Sequence, residues 1–274
     1  RDEVQQAYAV GMAGDPALCG LFLQEATASI WDISTEQGYR HDNLQLNDGS
    51  GVIRLVIQLI SDTPTLPRTW TARDIVAWQP VRLPGKQTTE FVLQQHTSRE
   101  VVQAKAQSSA SMLRRNLRIE PDKLGTLEFS WHVPALIAGA DVGQRESDDS
   151  PARLVLAFDG DRANFSPKNA MLNELSLALM GEPMPYATLM YIWCNKRPVG
   201  TVVQNPRTDR VRKLVVASGP HHLNQWLRFE RDVRADFELA FGEAPGALLG
   251  IGVMTDSDNT QSNAVAWYGD IALR

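Results

Sequence analysis

Short apolar segments alternate with turn-forming residues from Trp70 to the end of the chain, and this pattern constrains the fold more than any other feature. Such a series is typical of many short β-strands rather than of alternating strands and helices. The predicted strands are Thr88–Gln94, Val101–Ser108, Gly125–Val133, Ala152–Asp159, Ala187–Cys194, Val211–Ser218, Trp226–Val233, Leu248–Thr255 and Ala264–Leu273. The sequence therefore predicts an all-β fold with a few short helices, built as a jelly-roll-like antiparallel β-sandwich.

The pattern inside the segments predicts which strands are central. The stretches 187–193 and 248–254 are apolar on both faces, so they are expected in the middle of a sheet. The segment Gly125–Val133 alternates instead, which assigns one face to the core and the other to solvent. Its predicted solvent face carries Glu128, Ser130 and His132.

The last segment, Ala264–Leu273, is interpreted as one unbroken strand. Strict alternation then places Val265, Trp267, Ile271 and Leu273 on the core face. Tyr268 and Asp270 fall on the opposite face. We therefore expect Tyr268 to be exposed and available for stacking against a ligand.

Two helices interrupt the strand series. Ser166 and Pro167 form an N-cap and first-turn pair, a leucine stripe follows, and Gly181 is a stop signal. A shorter helix is predicted over 233–241, where apolar residues recur every four positions and Gly242 ends the pattern.

The chain divides into an N-terminal extension, residues 1–67, and a β-sandwich domain, residues 68–274. The extension contains one predicted strand, Val52–Ile60, which could join the main sheet. Because the sequence begins with Arg1 instead of methionine, we expect that a leader was removed, and we predict a periplasmic or secreted protein.

Charge and composition exclude two classes of function. The formal net charge is −5 and the basic residues are scattered, so nucleic acid is not expected as a partner. No apolar run is long enough for a transmembrane helix. Two cysteines, Cys19 and Cys194, are either two buried thiols or one disulfide of an exported protein.

Several ordered motifs carry a family resemblance: FSWHV, SDDSPARLVLAFDG, LMYIWCN, QWLRFERDVRADFELAFGEAP, GIGVMTDSDNT and AWYGDIAL. In this order they resemble the bacterial family catalogued as domain of unknown function 3047, roughly from Trp70 to Arg274. The resemblance implies a β-sandwich in an envelope-associated setting and implies no activity. The closing YGDIAL is similar to the last strand of galactose-binding-like jelly rolls, often carbohydrate-binding modules, and a concanavalin-like sandwich is the other expected type.

Asp256, Asp258 and Asn259 follow a predicted strand within one short loop and are the candidate metal ligands. Calcium takes about six to eight oxygen ligands, and this loop supplies several. The loop is not an EF-hand, because its sixth position is Gln261 where that motif requires glycine. The alternative is a turn in which these side chains bond to their own backbone. Calcium is the one cofactor predicted.

A second acidic loop precedes another predicted strand. Asp148, Asp149 and Arg153 are candidate ligand-binding residues there, although Asp149 and Arg153 could simply pair, and a solvated acidic loop is the commoner outcome. Loops at one end of a sandwich converge, so the two acidic loops could share a site. Tyr268 and Asp270 complete the predicted ligand set.

Glu128 is the candidate catalytic residue. Glycosidases place two carboxylates across the scissile bond, one acting as acid and the other as nucleophile or base. Glu128 could form such a pair with Asp270 or Glu230 if their strands are neighbours. The alternative is a glutamate that only faces solvent.

Three functions are compatible with the sequence. The first is an exported carbohydrate-binding or interaction module that binds a glycan or a small polar ligand and is stabilised by calcium. The second is a glycan-active hydrolase or lyase, with Glu128 and a carboxylate from Asp256, Asp258 or Asp270. The third is a structural envelope protein without a small ligand.

Overall fold

A computed structural model describes residues 20–24, 27–32, 37–42 and 68–274. The chain forms two compact units, residues 1–63 and 64–274. In the first unit, β1 (Gly20–Gln24), β2 (Thr27–Asp32) and β3 (Gln37–Asp42) form an antiparallel sheet in that order, which the sequence did not predict. The predicted strand Val52–Ile60 and Cys19 lie outside the described residues.

The second unit contains the remaining strands and the helices. The strands are β4 (Arg68–Trp70), β5 (Gln79–Arg82), β6 (Glu90–His96), β7 (Arg99–Gln107), β8 (Ala110–Ile119), β9 (Thr126–His132), β10 (Ser150–Phe158), β11 (Ala187–Cys194), β12 (Val202–Gln204), β13 (Val211–Ser218), β14 (Trp226–Asp232), β15 (Leu248–Asp256), β16 (Asn263–Tyr268) and β17 (Ile271–Leu273). The helices are α1 (Ala72–Val76), α2 (Pro167–Met180) and α3 (Val233–Phe241), besides three single 3₁₀ turns.

These strands form two sheets that pack face to face. The first sheet has the order β12-β13-β11-β10-β15-β8-β5. The second has the order β4-β17-β9-β16-β7-β6, with β14 paired to β9. Neighbouring strands are antiparallel except β11 and β13, which are parallel. The predicted all-β, jelly-roll-like sandwich is confirmed.

Aromatic side chains from both sheets fill the space between them. Trp131 and Phe129 of β9 and Tyr191 and Trp193 of β11 are buried, and Phe129 stacks on Tyr191 with ring centroids 5.5 Å apart. β11 and β15 flank β10 in the middle of the first sheet, as their two apolar faces predicted. The hydrophobic effect of this shared core holds the sheets together.

The helix signals are confirmed at both ends. The Ser166 hydroxyl accepts a hydrogen bond from the backbone N–H of Asn169, and Gly181 ends α2 in the left-handed conformation with φ 73°. α3 likewise ends at Gly242, with φ 71°. Helix α1, capped by Thr71, was not predicted. None of the helices among the described residues is long and apolar enough to span a membrane.

The closing segment departs from the sequence-based interpretation. Tyr268 lies opposite Trp131, whereas Ala272 lies opposite Glu128, so one extra residue is inserted between β16 and β17. A one-residue shift reverses the faces of a strand. Consequently the core positions of Ile271 and Leu273 are confirmed, but the predicted orientations in β16 are wrong: Tyr268 is buried and Trp267 is half-buried on the outer face.

Two glycines on the outer face of β15 allow a sharp test of the packing in the first sheet. A Cβ added at Gly252 would lie 2.8 Å from the carbonyl oxygen of Leu113, whereas one at Gly250 would meet nothing closer than 3.4 Å. We expect Gly252→Ala to lower the free energy of unfolding by about 1–3 kcal/mol, because the backbone of β8 must move. Gly250→Ala is the control. Equal costs in urea denaturation would contradict the assigned register.

Candidate functional site

The two Asp-rich loops meet at one end of the first sheet. β10 and β15 are antiparallel neighbours, so the first residue of β10, Ser150, lies opposite the last residue of β15, Asp256. The backbone N–H of Ser150 donates to the Asp256 carboxylate at 3.2 Å. The expected proximity of the two loops is confirmed.

Arg153 lies at the centre of this cluster. Its Nε and Nη2 donate to the two carboxylate oxygens of Asp256 at 2.6 and 2.8 Å, and Nη2 also donates to the backbone oxygen of Asp148 at 2.8 Å. Burial disfavours the charged guanidinium, but the carboxylates of Asp256 and Asp148 more than offset this and raise the Arg153 pKa. Burial raises the pKa of Asp256, and Arg153 offsets part of that rise.

Asp149 ties the two loops together instead of pairing with Arg153. Its carboxylate accepts hydrogen bonds from the backbone N–H of Asn259 at 3.1 Å and from the N–H and hydroxyl of Thr260, both at 2.6 Å. The predicted alternative of an Asp149–Arg153 pair is therefore wrong, because the Arg153 guanidinium pairs with Asp256 and Asp148 instead. Asp149 fixes the loop backbone, as an aspartate in a turn does.

Lys213 of β13 is the second buried cation on this face. Its Nζ donates to the backbone oxygen of Val142 at 2.7 Å and forms an ion pair with Asp148. Burial first, and the nearby Arg153 second, lower the pKa of Lys213 to about 8. Lys213 is not among the residues selected from sequence, although a lysine within the apolar stretch VRKLVVAS is itself a sign of a buried charge that needs a partner.

The metal ligands expected from sequence can be located here. Carboxylate oxygens of Asp149, Asp256 and Asp258 lie within 4.8 Å of one another, so this acidic cluster could hold a metal ion. Each of the three already has a partner, since Asp258 forms an ion pair with Lys86. The Asn259 side-chain amide donates to the backbone oxygen of Arg145 at 2.9 Å. A cation would have to displace Lys86 and Arg153 from their carboxylates.

These residues surround a small pocket on the outer face of the first sheet. Its volume is about 160 Å³, and its lining includes Lys86, Asp148, Arg153, Met190, Lys213, Met254, Asp256, Asp258 and Asn259. Lys86, Arg153 and Lys213 are each paired with an aspartate, and Arg153, Lys213 and Asp256 are buried. The arrangement fastens loops to the sheet.

A larger groove lies on the outer face of the second sheet, and we call it the second-sheet groove. Its volume is about 540 Å³. It forms where β14 and β17 flank β9, and the residues that line it include Thr71, Arg99, Glu100, Glu128, Ser130, Trp226, Arg228, Asp270 and Arg274.

Glu128 and Asp270, both predicted as site residues, lie in this groove. The Glu128 carboxylate accepts hydrogen bonds from Nη2 of Arg228 at 2.6 Å and forms a salt bridge with Nε of Arg274 at 2.8 Å. Asp270 accepts from the backbone N–H of Ala72 at 3.0 Å, at the start of α1. Glu128 is thus held between two exposed arginines, and Asp270 is anchored to a helix.

Trp226 is the aromatic residue of the groove. The guanidinium carbon of Arg99 lies 3.5 Å from the centroid of the Trp226 ring. The indole Nε1 donates to the hydroxyl of Thr97 at 2.9 Å. Burial lowers the pKa of Arg99, and Asp270 opposes that effect. The indole also packs against His132, with ring centroids 5.6 Å apart. A stacked arginine therefore stands at the groove surface.

Two histidines extend this aromatic surface beside the groove. His96 stacks on Trp267 at 4.3 Å and lies 4.7 Å from His132, measured between ring centroids. Burial, and then the neighbouring His96, lower the pKa of His132. Nδ1 of His132 is buried and has no hydrogen-bond partner in the described part of the chain.

The residues selected from sequence thus fall into three places. Asp148, Arg153, Asp256, Asp258 and Asn259 line the small pocket, and Asp149 supports it. Glu128 and Asp270 line the second-sheet groove. Tyr268 lies in the core, where its hydroxyl donates to the backbone oxygen of Met254 at 2.6 Å, so it cannot contact a ligand. Because Glu128 lies in the groove while Asp256 and Asp258 line the small pocket, neither aspartate can be its catalytic partner.

Two groove residues, Arg99 and Arg228, were not selected from sequence. Arg228 alternates with Trp226 and Glu230 on β14, which places all three on one face. That β14 pairs with β9, with Arg228 opposite Ser130, is a long-range contact. Alternation could have grouped these side chains, but only the strand order joins them to Glu128.

A family model described as "Protein of unknown function (DUF3047)" matches residues 76–272. The chain belongs to this family. The match covers most of the second unit, including every residue of the small pocket. No curated protein matches the chain.

Solved structures give more distant similarities. A thermostable cellulase derived from a Rhodothermus marinus enzyme is 11% identical, over 76% of this chain and 95% of that one, with TM-score 0.39. A xyloglucanase domain of a Sinorhizobium fredii effector is 10% identical, over 71% and 90%, with TM-score 0.36. The glycoside hydrolase domain Endo-D from Streptococcus pneumoniae R6 is 7% identical, with TM-score 0.32, over 72% of this chain and only 21% of that chain.

Because Arg153 and Asp256 are buried together, we expect removal of one partner to cost far more stability than removal of both. Arg153→Met should lower the free energy of unfolding by roughly 3–5 kcal/mol, because it leaves the Asp256 carboxylate buried without its cation. The double variant Arg153→Met/Asp256→Leu should recover much of this loss. Arg118→Met, at an exposed ion pair, is the control and should cost less than about 1 kcal/mol. Urea denaturation measures all three, and a double variant no better than Arg153→Met would contradict the pairing.

Proposed function

We propose that this chain is a carbohydrate-binding module and that the glycan binds in the second-sheet groove. The observation that supports this most is a half-buried indole, Trp226, next to the charged side chains of Arg99, Arg228 and Glu128 in one open groove. A sugar presents apolar C–H groups and many hydroxyls, so it needs an aromatic surface with hydrogen-bonding groups around it.

Size and charge favour the groove over the small pocket. Sites for small molecules usually measure about 300–1,000 Å³. The groove, at about 540 Å³, falls in that range, whereas the small pocket has about 160 Å³. In the pocket, Arg153 and Lys213 are already paired with aspartates. In the groove, Arg228 is 76% exposed at its side chain and can turn to a ligand at little cost.

We leave calcium out of this proposal, because the Asp149 and Asp256 carboxylates accept hydrogen bonds that a metal ion would have to replace. An exported location, periplasmic or secreted, belongs to the proposal, since it would bring the groove to extracellular polysaccharides. The structural role without a ligand is the outcome if no glycan binds.

Truncating the indole tests the proposal directly. We expect the protein to bind one or more glycans on an array. Trp226→Ala should raise the Kd for the tightest-binding glycan by about tenfold or more, equal to about 1.4 kcal/mol. Leu239→Ala, which removes an exposed apolar side chain on α3, is the control. Isothermal titration calorimetry measures both. If the protein binds no glycan on the array, or if Trp226→Ala binds that glycan as tightly as the parent chain does, the proposal fails.

A hydrolase is the second candidate, and the pairing of β14 with β9 favours it. Glu230 of β14 lies directly opposite Glu128 of β9 on the same face. Opposite residues have Cβ atoms about 4.5–5.5 Å apart, and retaining glycosidases separate their two carboxyl groups by about 5–5.5 Å. Glu128 lines the groove and Glu230 stands next to it, outside the lining, so a second carboxylate is available to Glu128.

Release of reducing ends distinguishes hydrolysis from binding alone. If the chain is a hydrolase, a polysaccharide panel will yield reducing ends at a rate that falls at least 100-fold in Glu128→Gln, because one of the two carboxylates is lost. Glu100→Gln changes another groove glutamate, one that is paired with Arg73, and should leave most of the rate. An undiminished rate in Glu128→Gln would remove Glu128 from the mechanism.

A further inference from the structure

The charged side chains that line the second-sheet groove are equal in number but are not paired one to one. Arg99, Arg228 and Arg274 face Glu100, Glu128 and Asp270. Glu100 is already paired with Arg73, which lies outside the lining, and the single carboxylate of Glu128 serves both Arg228 and Arg274. The carboxylates of Glu100 and Glu128 are therefore already taken up by Arg73, Arg228 and Arg274.

Arg99 is the third arginine of the lining. It forms no salt bridge with any residue in the described part of the chain, and the one acidic residue that influences its pKa is Asp270. Its guanidinium is nevertheless held in place, 3.5 Å from the centroid of Trp226. Stacking occupies the flat face of a guanidinium and leaves its N–H edge free to donate.

A free, oriented guanidinium edge is best matched by a carboxylate. Two parallel N–H groups can donate to both oxygens at once, and such charged bonds are about twice as strong as neutral ones. The lining of the groove also includes the hydroxyl of Ser130 and the acceptor Asp270. These suit the hydroxyls of a sugar ring that carries the carboxylate.

We infer that the second-sheet groove recognises a uronic acid glycan, whose carboxylate binds Arg99 while its ring hydroxyls contact the flanking polar groups. This inference rests on the glycan-binding function proposed above and specifies its ligand class. Arg228 and Arg274, which share Glu128, accommodate a second carboxylate along the polymer.

Methyl esterification supplies a matched pair of ligands, because it removes the charge and keeps the sugar ring. The probes are tetramers of galacturonic, glucuronic and mannuronic acid, each with its fully methyl-esterified form, together with neutral cellotetraose. Calorimetry should show at least tenfold tighter binding of one acid tetramer than of its ester. Arg99→Gln should weaken the acid form about tenfold and change the ester less than threefold.

Two controls isolate the guanidinium. Arg82→Gln removes an exposed positive charge on β5 of the first sheet and should leave every Kd unchanged. Arg99→Lys keeps the charge without the bidentate edge, so it should recover only part of the affinity. Circular dichroism and thermal melting check that each variant remains folded.

The outcomes distinguish recognition of a uronic acid from glycan binding in general. If neutral tetramers or esters bind at least as well as the acids, the uronic acid inference is wrong and glycan binding stands. If an acid is preferred but Arg99→Gln has no effect, Arg99 is not its receptor and the inference is overturned. If none of the probes and no other glycan binds, both proposals fail.

Discussion

Strand β9 is paired along both edges, and the second-sheet groove depends on that pairing. β14 covers one edge, and β16 and β17 share the other. Between β16 and β17 one extra residue is accommodated where the N–H of Gly269 donates to the backbone oxygen of Ser130 at 3.0 Å. This irregularity sends Tyr268 into the core and leaves Asp270 at the groove. The local break in alternation thus determines which closing residues can meet a ligand.

The two candidate sites use charge in opposite ways. Arg153 and Lys213 are buried in the first sheet, where each is held by aspartates and where loss of a partner would be costly. Arg99 and Arg228 are exposed on the second sheet, where water screens their charges and a ligand can take over their contacts. The buried pairs therefore contribute to the cohesion of the fold, whereas the exposed arginines remain accessible.

Much of the fold could be predicted because it follows from local chemistry. Alternation located most strands, and capping residues set both ends of α2 and α3. β8 was missed because three arginines interrupt its apolar pattern, and its inward-facing Leu113 gives too little local signal. Glu128 could be chosen as an unusual outward carboxylate, but its neighbours Trp226 and Arg228 could not be assigned to it.

The sequence by itself determined most strands of residues 68–274, the two longer helices and the family, since these depend on residues close together along the chain. Only the tertiary structure decided that Asp256 pairs with Arg153, that Glu128 and Asp256 lie in different sites, and that Arg99 stacks on Trp226. The physical reason is that strand order and register are set by packing across the whole sandwich, and a single inserted residue reverses every face that follows it.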